Sequence, residues 1–412
     1  MKILFSPPDI TESEIHEVAE ALRSGWITTG PRVKKLEKLL AAYIGLPTKA
    51  PNCVCLNSQT ACGELSLRLL GIGPRHGGSN QDEVITCAYT YTASASVVCH
   101  VGAKLILVDC QKDSLEMDYD AVEQAITENT KAIIPIDLAG VPCDYDRLFE
   151  IVERKKALFH PTNELQKALG RVAIVADAAH ALGAKRDGKM IGNIADFTNF
   201  SFHAVKNFTT AEGGAIAWKP LPGISDDKIY DKIQLYSLHG QSKDAYKKSA
   251  PGSWEYDIIG TWYKCNMTDV AAAMGLAQFE RYPQLLARRR EIIEKYNAAF
   301  VPLGVQVLPH YTDTYSGSGH LYITRIPGIT DEQRREIINK MADDGIACNV
   351  HYKPLPMHTA YKKLGFDIKD FPNAHAYYLN EITLPCHTKL TDEEVDYVIS
   401  CYSKYVKEYI KK

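Results

Sequence analysis

Three residues whose side chains can do chemistry fall where short apolar runs of this sequence end. The stretch SFHAVKNFTTAEGGAIAW (201–218) isolates Lys206 among aromatic, small and hydroxyl residues, with no Asp, Glu, Lys or Arg nearer than Glu212. A solvated lysine normally keeps charged company. This one is either an isolated loop residue or an amine held where low polarity favours its neutral, nucleophilic form. In IVADAAHALGA (174–184) an apolar run ends on Asp177, and DFTNFSF (196–202) brings Ser201 to the end of the next. An amine, a carboxylate and a hydroxyl on adjacent strand ends are the set that a pyridoxal phosphate site requires. The lysine forms a Schiff base, the carboxylate keeps the ring nitrogen protonated so that the ring draws off electrons, and hydroxyls or backbone amides hold the phosphate. Taken singly, Asp177 is equally well explained as a helix N-cap.

Other segments supply the remaining parts. LNSQTACGELSL (56–67) leaves a strand at Leu56 and enters a helix near Thr60; unpaired N–H groups at such a helix start attract an anion, although Ser58 or Thr60 could serve only as caps. CAYTYTASAS (87–96) offers Tyr89 and Tyr91 as core residues or as a lid over a flat ring. His203 and His351 are candidate bases or satisfied polar residues, and Trp26 with the threonines of GWITTG (25–30) is helix-entry packing or a pocket wall. GIGPRHGG (71–78) is not a dinucleotide loop, because His76 takes the third glycine position and no strand precedes it. The arginines 288–290 read as a solvated helix face.

The elements that must position these residues are legible from periodicity. Strand-like runs occur at 53–56, 83–86, 104–109, 131–137, 171–177, 196–202 and 213–218, with helical patterns between several of them. Short, apolar, β-branched strands alternating with helices imply a mostly parallel sheet covered on both faces. Capping boxes at Thr11–Glu14, Thr330–Gln333 and Thr391–Glu394 mark helix starts. A long helical pattern over 268–300 carries Pro283, where a bend is expected, and the strand HLYITRI (320–326) opens what reads as a smaller α+β domain. The division expected is a large domain over 1–258, including N-terminal helices, and a small one over 259–412. A chain of 412 residues with a net charge of -3 has no field for nucleic acid or an anionic membrane, and no apolar run approaches a membrane span. The N-terminus turns acidic too soon for a signal peptide, so a cytoplasmic protein is expected. Eleven scattered cysteines without a C-x-x-C pair read as reduced thiols, and no metal site is expected.

The chain resembles the DegT-type (DegT/DnrJ/StrS) nucleotide-sugar aminotransferases, a fold-type-I family dependent on pyridoxal phosphate, nearly from end to end. SGWITTGPRVKKLEKLLAAYIG (24–45), NSQTACGELSL (57–67), CAYTYTASASVV (87–98), DAAHALGA (177–184) and SFHAVKN (201–207) match its successive segments, and so do YKCNMTDVAAAMGLAQ (263–278), HYKPLPMHTAY (351–361) and LPCHTKLTDEEVDYVI (384–399). The resemblance implies a seven-stranded sheet, with Lys206 as the Schiff-base lysine and Asp177 on the ring nitrogen. It puts His180 near the ring hydroxyl, Thr60, Ala61 and Ser201 at the phosphate, and Tyr91 rather than Tyr89 over the ring. Trp26, Thr28, Tyr89, His351 and Tyr352 are implied at the substrate. Where many relatives carry Asn-x-Arg, this chain has Lys264 and Asn266, either of which would reach the phosphate of a neighbouring subunit in a homodimer. Gln59 stands where a glycine is usual. The implied reaction moves an amino group from an amino acid, expected to be L-glutamate, to a keto nucleotide sugar, expected to be a 4-keto-6-deoxy hexose, with pyridoxamine phosphate as intermediate. Polysaccharide, glycan or amino-sugar biosynthesis is the implied setting. The alternatives are a pyridoxamine-dependent dehydratase, in which histidine replaces the lysine, and a non-catalytic regulator on the same fold.

Overall fold

In the computed structural model, which describes residues 1–48, 52–242 and 255–410, the seven apolar runs become the strands of one sheet. In chain order the strands are β1 (Cys53–Leu56), β2 (Glu83–Cys87), β3 (Lys104–Val108), β4 (Thr130–Ile134), β5 (Ala173–Asp177), the two-residue β6 (Lys185–Arg186) and β7 (Lys189–Met190), β8 (Phe197–Ser201) and β9 (Gly214–Trp218). Across the large sheet the order is β1-β9-β8-β5-β4-β2-β3. All run the same way except β9, which is antiparallel to both neighbours. That reversal was not legible in the sequence, because a strand buried on both faces carries no mark of direction. It has a consequence for the site. Gly214, the first residue of β9, pairs with Ser201 and Leu56, the last residues of β8 and β1.

Helices α1 (Glu12–Arg23) and α2 (Pro31–Tyr43) precede the sheet; α3 (Gln59–Leu69) follows β1 and α4 (Ala93–Val101) follows β2. All three expected capping boxes are formed, with each threonine hydroxyl and its Glu or Gln partner exchanging bonds. Each such cap contributes about 1 kcal/mol to its helix. The long helix runs unbroken from Asp269 to Phe300 with Pro283 inside it. Its first half packs Leu276, Tyr282 and Leu285 against the core of the large sheet. Its second half gives Ile292, Tyr296 and Phe300 to a second core. That second core is closed by β10 (Gln306–Val307), β12 (Tyr322–Arg325), β13 (Glu381–Leu384) and the C-terminal helix Asp392–Tyr409, while β11 (Tyr315–Ser316) pairs with β6. A domain division at 258/259 remains a proposal, and residues 411–412 lie outside the described ones. All cysteines except Cys99 and Cys348 are buried, and none is paired.

Candidate active site

Open parallel sheets collect ligands beyond the carboxyl ends of their strands, and here a cavity of about 440 Å³ lies at that edge. Each contributing strand delivers a side chain to it: Thr60 after β1, Tyr91 after β2, Asp177 and His180 from β5, Ser201 and Lys206 from β8. The cavity volume suits a cofactor-sized ligand. The glycine pair after Lys206 has a steric reason. A Cβ on Gly214 would stand 2.7 Å from the backbone nitrogen of Gln59, so a side chain there would push β9 off the start of α3.

Lys206 is half-buried on the cavity wall, and no ion pair or side-chain hydrogen bond engages its amine among the described residues. Burial brings its pKa down to about 8, against the pull of Asp177. Asp177 is 5% exposed. Burial raises its carboxyl, and hydrogen bonds resist that shift: Ser94 Oγ donates to Oδ2 at 2.6 Å and the Ala179 N–H donates to Oδ1 at 3.1 Å. Thr90 Oγ1 lies 3.0 Å behind Ser94 Oγ. A charge-assisted bond of this kind is worth about 1.5 kcal/mol, near one pKa unit. Ser94→Ala is therefore expected to raise the Asp177 midpoint by about one unit, read by carboxyl ¹³C NMR of the cofactor-free protein; an unmoved midpoint would reduce Ser94 to packing.

His180 is buried, with Nδ1 accepting the Ala139 N–H at 3.1 Å. That bond leaves Nε2 as the protonated nitrogen. Its ring lies 4.3 Å from His320, centroid to centroid. His320 Nδ1 bonds Asn207 Oδ1 at 2.8 Å, while Asn207 Nδ2 donates to Ser318 O. Burial and the nearby Lys206 hold both imidazoles well below their ordinary pKa. Asp137, beyond β4, is another buried carboxyl of the cavity; burial lifts it to about 7, and Tyr145 Oη and the Cys143 N–H donate to it at 2.8 and 2.9 Å.

Ser58 caps α3 by accepting the Ala61 N–H at 3.1 Å. The amide expected at a phosphate is thus engaged by the cap, and Ala61 faces a neighbouring cavity that also holds Lys264. Tyr91 is 60% exposed on the cavity, 5.9 Å from the ring of Tyr352. Tyr89 is buried away from it, with its hydroxyl on the His351 carbonyl at 3.1 Å. His351 and Tyr352 line the cavity, and so does His203, whose Nε2 lies 3.6 Å from Glu212. Trp26, Thr28, Lys264 and Asn266 do not line it in this chain. Trp26 Nε1 donates to the Thr29 carbonyl at 3.3 Å, the Thr28 carbonyl accepts from the Asp269 N–H at 3.0 Å, and Asn266 bonds both Lys264 and Thr29.

Sequence reasoning passed over Ser94, Asp137 and His320. Ser94 and His320 lay inside quoted segments, but only the fold shows what they touch. Gln59 departs from the family's usual glycine. It is buried on the wall of the cavity that Asp177 also lines, and it helps to hold the Asp177 carboxyl down against burial.

Comparison with known proteins bears on this geometry. The profile of the DegT/DnrJ/EryC1/StrS aminotransferase family matches residues 8–403. The chain is 55% identical to Spr1654 of Streptococcus pneumoniae, a candidate sugar aminotransferase, over the full length of both chains with a TM-score of 0.93 in its PLP form; that protein has also been solved in apo and PMP forms. It is 39% identical to the uncharacterized protein MJ1066 of Methanocaldococcus jannaschii, over 97% of each. It is 36% identical to the spore coat polysaccharide biosynthesis protein SpsC of Bacillus subtilis, over 98% of this chain and 97% of that one.

Proposed function

This chain belongs to the DegT/DnrJ/EryC1/StrS aminotransferase family, and we propose that it is a pyridoxal-phosphate-dependent transaminase. On this reading it carries an amino group from L-glutamate to a keto nucleotide sugar, with a 4-keto-6-deoxy hexose as the expected acceptor. The observation that carries the reading is the meeting, in one cavity, of an amine with no ion-pair partner among the described residues and a buried carboxyl held by two donors. The donor set fits the cofactor: a carboxylate for a ring nitrogen, an amine for an aldehyde, and a helix start with Ser201 for a phosphate.

When bound, pyridoxal phosphate supplies an aldehyde that takes up the donor's nitrogen and a ring that stores an electron pair. Lys206 Nζ would hold the cofactor and, when free, would move a proton as the neutral amine, a form that a pKa of about 8 makes accessible near neutral pH. Asp177 would keep a proton on the ring nitrogen, and Ser94 and the Ala179 N–H favour its ionised form against burial and aim it. His180 offers an Nε2–H donor at the cavity wall. Tyr91, exposed on the cavity, would cover the outer face of the ring.

A second copy of the chain is part of this reading. Trp26, Thr28, Lys264 and Asn266 do not line the cavity; Ile27, between the first two, is exposed, and so is Tyr263, which shares a neighbouring cavity with Lys264. A two-fold dimer gives such residues a partner's site to complete. Among the described residues no helix is long and apolar enough to cross a membrane; a cytoplasmic location is part of the proposal. The test is a panel of keto nucleotide sugars with glutamate, products identified by mass spectrometry and NMR. An aminated sugar and stoichiometric 2-oxoglutarate are expected. A deoxygenated sugar would instead indicate a dehydratase, and no turnover across the panel a non-catalytic role.

A further inference from the structure

Behind His351, on the cavity wall, a chain of hydrogen bonds ends on a carboxyl with no solvent contact. His351 Nδ1 lies 3.0 Å from Thr383 Oγ1, Thr383 Oγ1 bonds Glu381 Oε1, and the His351 N–H donates to Glu381 Oε2 at 3.0 Å. Glu381 and Thr383 alternate on β13 and are both 0% exposed, so water does not compete for these bonds. Phe5 stacks on the imidazole at 5.5 Å and Tyr352 meets its edge at 4.9 Å, which keeps the ring from turning to another partner. Nε2 is the nitrogen left for the cavity that His351 lines.

A hydroxyl has one proton to give, and that fixes the direction of the whole chain. With Glu381 ionised, Thr383 donates to it and accepts from His351 Nδ1–H, leaving Nε2 bare. With Glu381 protonated, the carboxyl donates to Thr383, the Thr383 proton turns to Nδ1, and Nε2 carries the hydrogen. We propose that Glu381 is a positioning residue that, through Thr383, sets the tautomer of His351 and so decides whether substrate meets an N–H donor or a lone pair there. The proton balance closes. On ionisation one proton leaves from Nε2 to the cavity, the Thr383 proton moves to Nδ1, and the Glu381 proton moves to Thr383. A buried carboxyl thereby titrates through a histidine that itself stays neutral.

Burial holds His351 down to about 3, with Lys206 adding to the shift, and lifts Glu381 to about 8. At neutral pH the N–H form prevails. On the reading of this cavity as an amino-transfer site, that form suits an oxygen acceptor, either the donor's carboxylate or the sugar's keto oxygen. The groups facing Glu381 are Arg334, Arg325 across the β12–β13 ladder, Tyr89, Cys348, Tyr352 and Tyr402; burial raises the tyrosines and the thiol, so they stay neutral through this range. Lys206, which faces His351, titrates near the same pH, and the variants below separate the two.

The test is ¹⁵N-histidine NMR of cofactor-free protein from about pH 6 to about pH 10, with the His351 signals identified by their loss in His351→Gln. Nε2 is expected to carry the proton below about 8 and Nδ1 above it. Glu381→Gln, whose amide donates to Thr383 at every pH, should hold Nε2–H throughout, and Thr383→Val should remove the coupling. A wild-type tautomer that never changes, or a Glu381→Gln protein that switches at the wild-type midpoint, overturns the proposal; the latter would assign the change to Lys206. These signals need neither cofactor nor turnover. A protein that switches but transfers no amino group therefore refutes the functional reading and leaves this inference standing.

Discussion

Replacing Lys206 with alanine is expected to abolish amino transfer, by at least ~10⁴-fold, while the protein stays folded. On the proposed reading two roles converge on one amine, the covalent hold and the proton transfer, so no neighbour is placed to take over both. His203 is the next basic group along the chain, but it is exposed and tied to Glu212. The fold should survive because the amine makes no ion pair that its loss would leave orphaned among the described residues. The pH dependence of stability supplies a check that needs no cofactor. The folded-state pKa of Lys206, about 8, lies below the ordinary lysine value of 10.5. The unfolded chain therefore binds more protons between those values, and wild-type stability gains from this residue as pH rises through that window. Below about 8 the penalty of charging the amine in the cavity is fully present. Lys206→Ala lacks that penalty, so its melting temperature relative to wild type should be highest below about pH 8 and should decline toward pH 10.5. A difference that is flat with pH would mean that the amine is as well solvated as a surface lysine, and the activation argument would lose its basis.

The sequence carried the part of the site that lies on strand ends. Lys206, Asp177, Ser201 and Thr60 could be anticipated because a parallel strand announces where it stops, and ligands gather there. Direction within a buried strand is not announced, so the antiparallel β9, and with it the reason for the glycine pair, emerged only from the pairing register. Tyr89 and Tyr91 show another limit. Their spacing of two gives them the same strand parity, yet they lie beyond the end of β2, where parity no longer governs, and Tyr89 turns into the core while Tyr91 faces the cavity. The second layer was illegible for a different reason. Ser94 meets Asp177 across 83 positions, and Asn207 meets His320 across 113; no local pattern encodes such contacts. Residues that would serve another copy of the chain, as the proposed dimer requires, are beyond any single chain. Lys264 and Asn266 bond each other here, and what they would do at a neighbour's phosphate depends on an interface.

Asp177→Asn should separate the chemistry of the site from its architecture. The amide keeps the carboxylate's size, and its oxygen can still accept the Ala179 N–H that now reaches Oδ1 at 3.1 Å. Ser94 Oγ, which donates at 2.6 Å in the wild type, can reverse and accept from the new NH₂ group, with Thr90 Oγ1 available 3.0 Å away for the hydroxyl proton. The network thus survives with its polarity inverted, and no buried polar atom need be left alone. What disappears is the negative charge that, on the proposed reading, faces the ring nitrogen. Without it the nitrogen loses its proton and the ring its capacity to hold electrons, so amino transfer should fall ~10³-fold or more. Stability should move the other way. Burial raises the Asp177 carboxyl above its unfolded value, so the folded state loses stability as pH climbs from the unfolded pKa through the raised one, and the deficit is complete above it. At neutral pH the cofactor-free Asn variant should consequently melt at or above the wild-type temperature, because it buries no charge. Loss of activity together with lower stability would imply a damaged cavity instead. Retained activity would show that another carboxyl, for which Asp137 of the same cavity is the candidate, keeps the ring nitrogen protonated in place of Asp177.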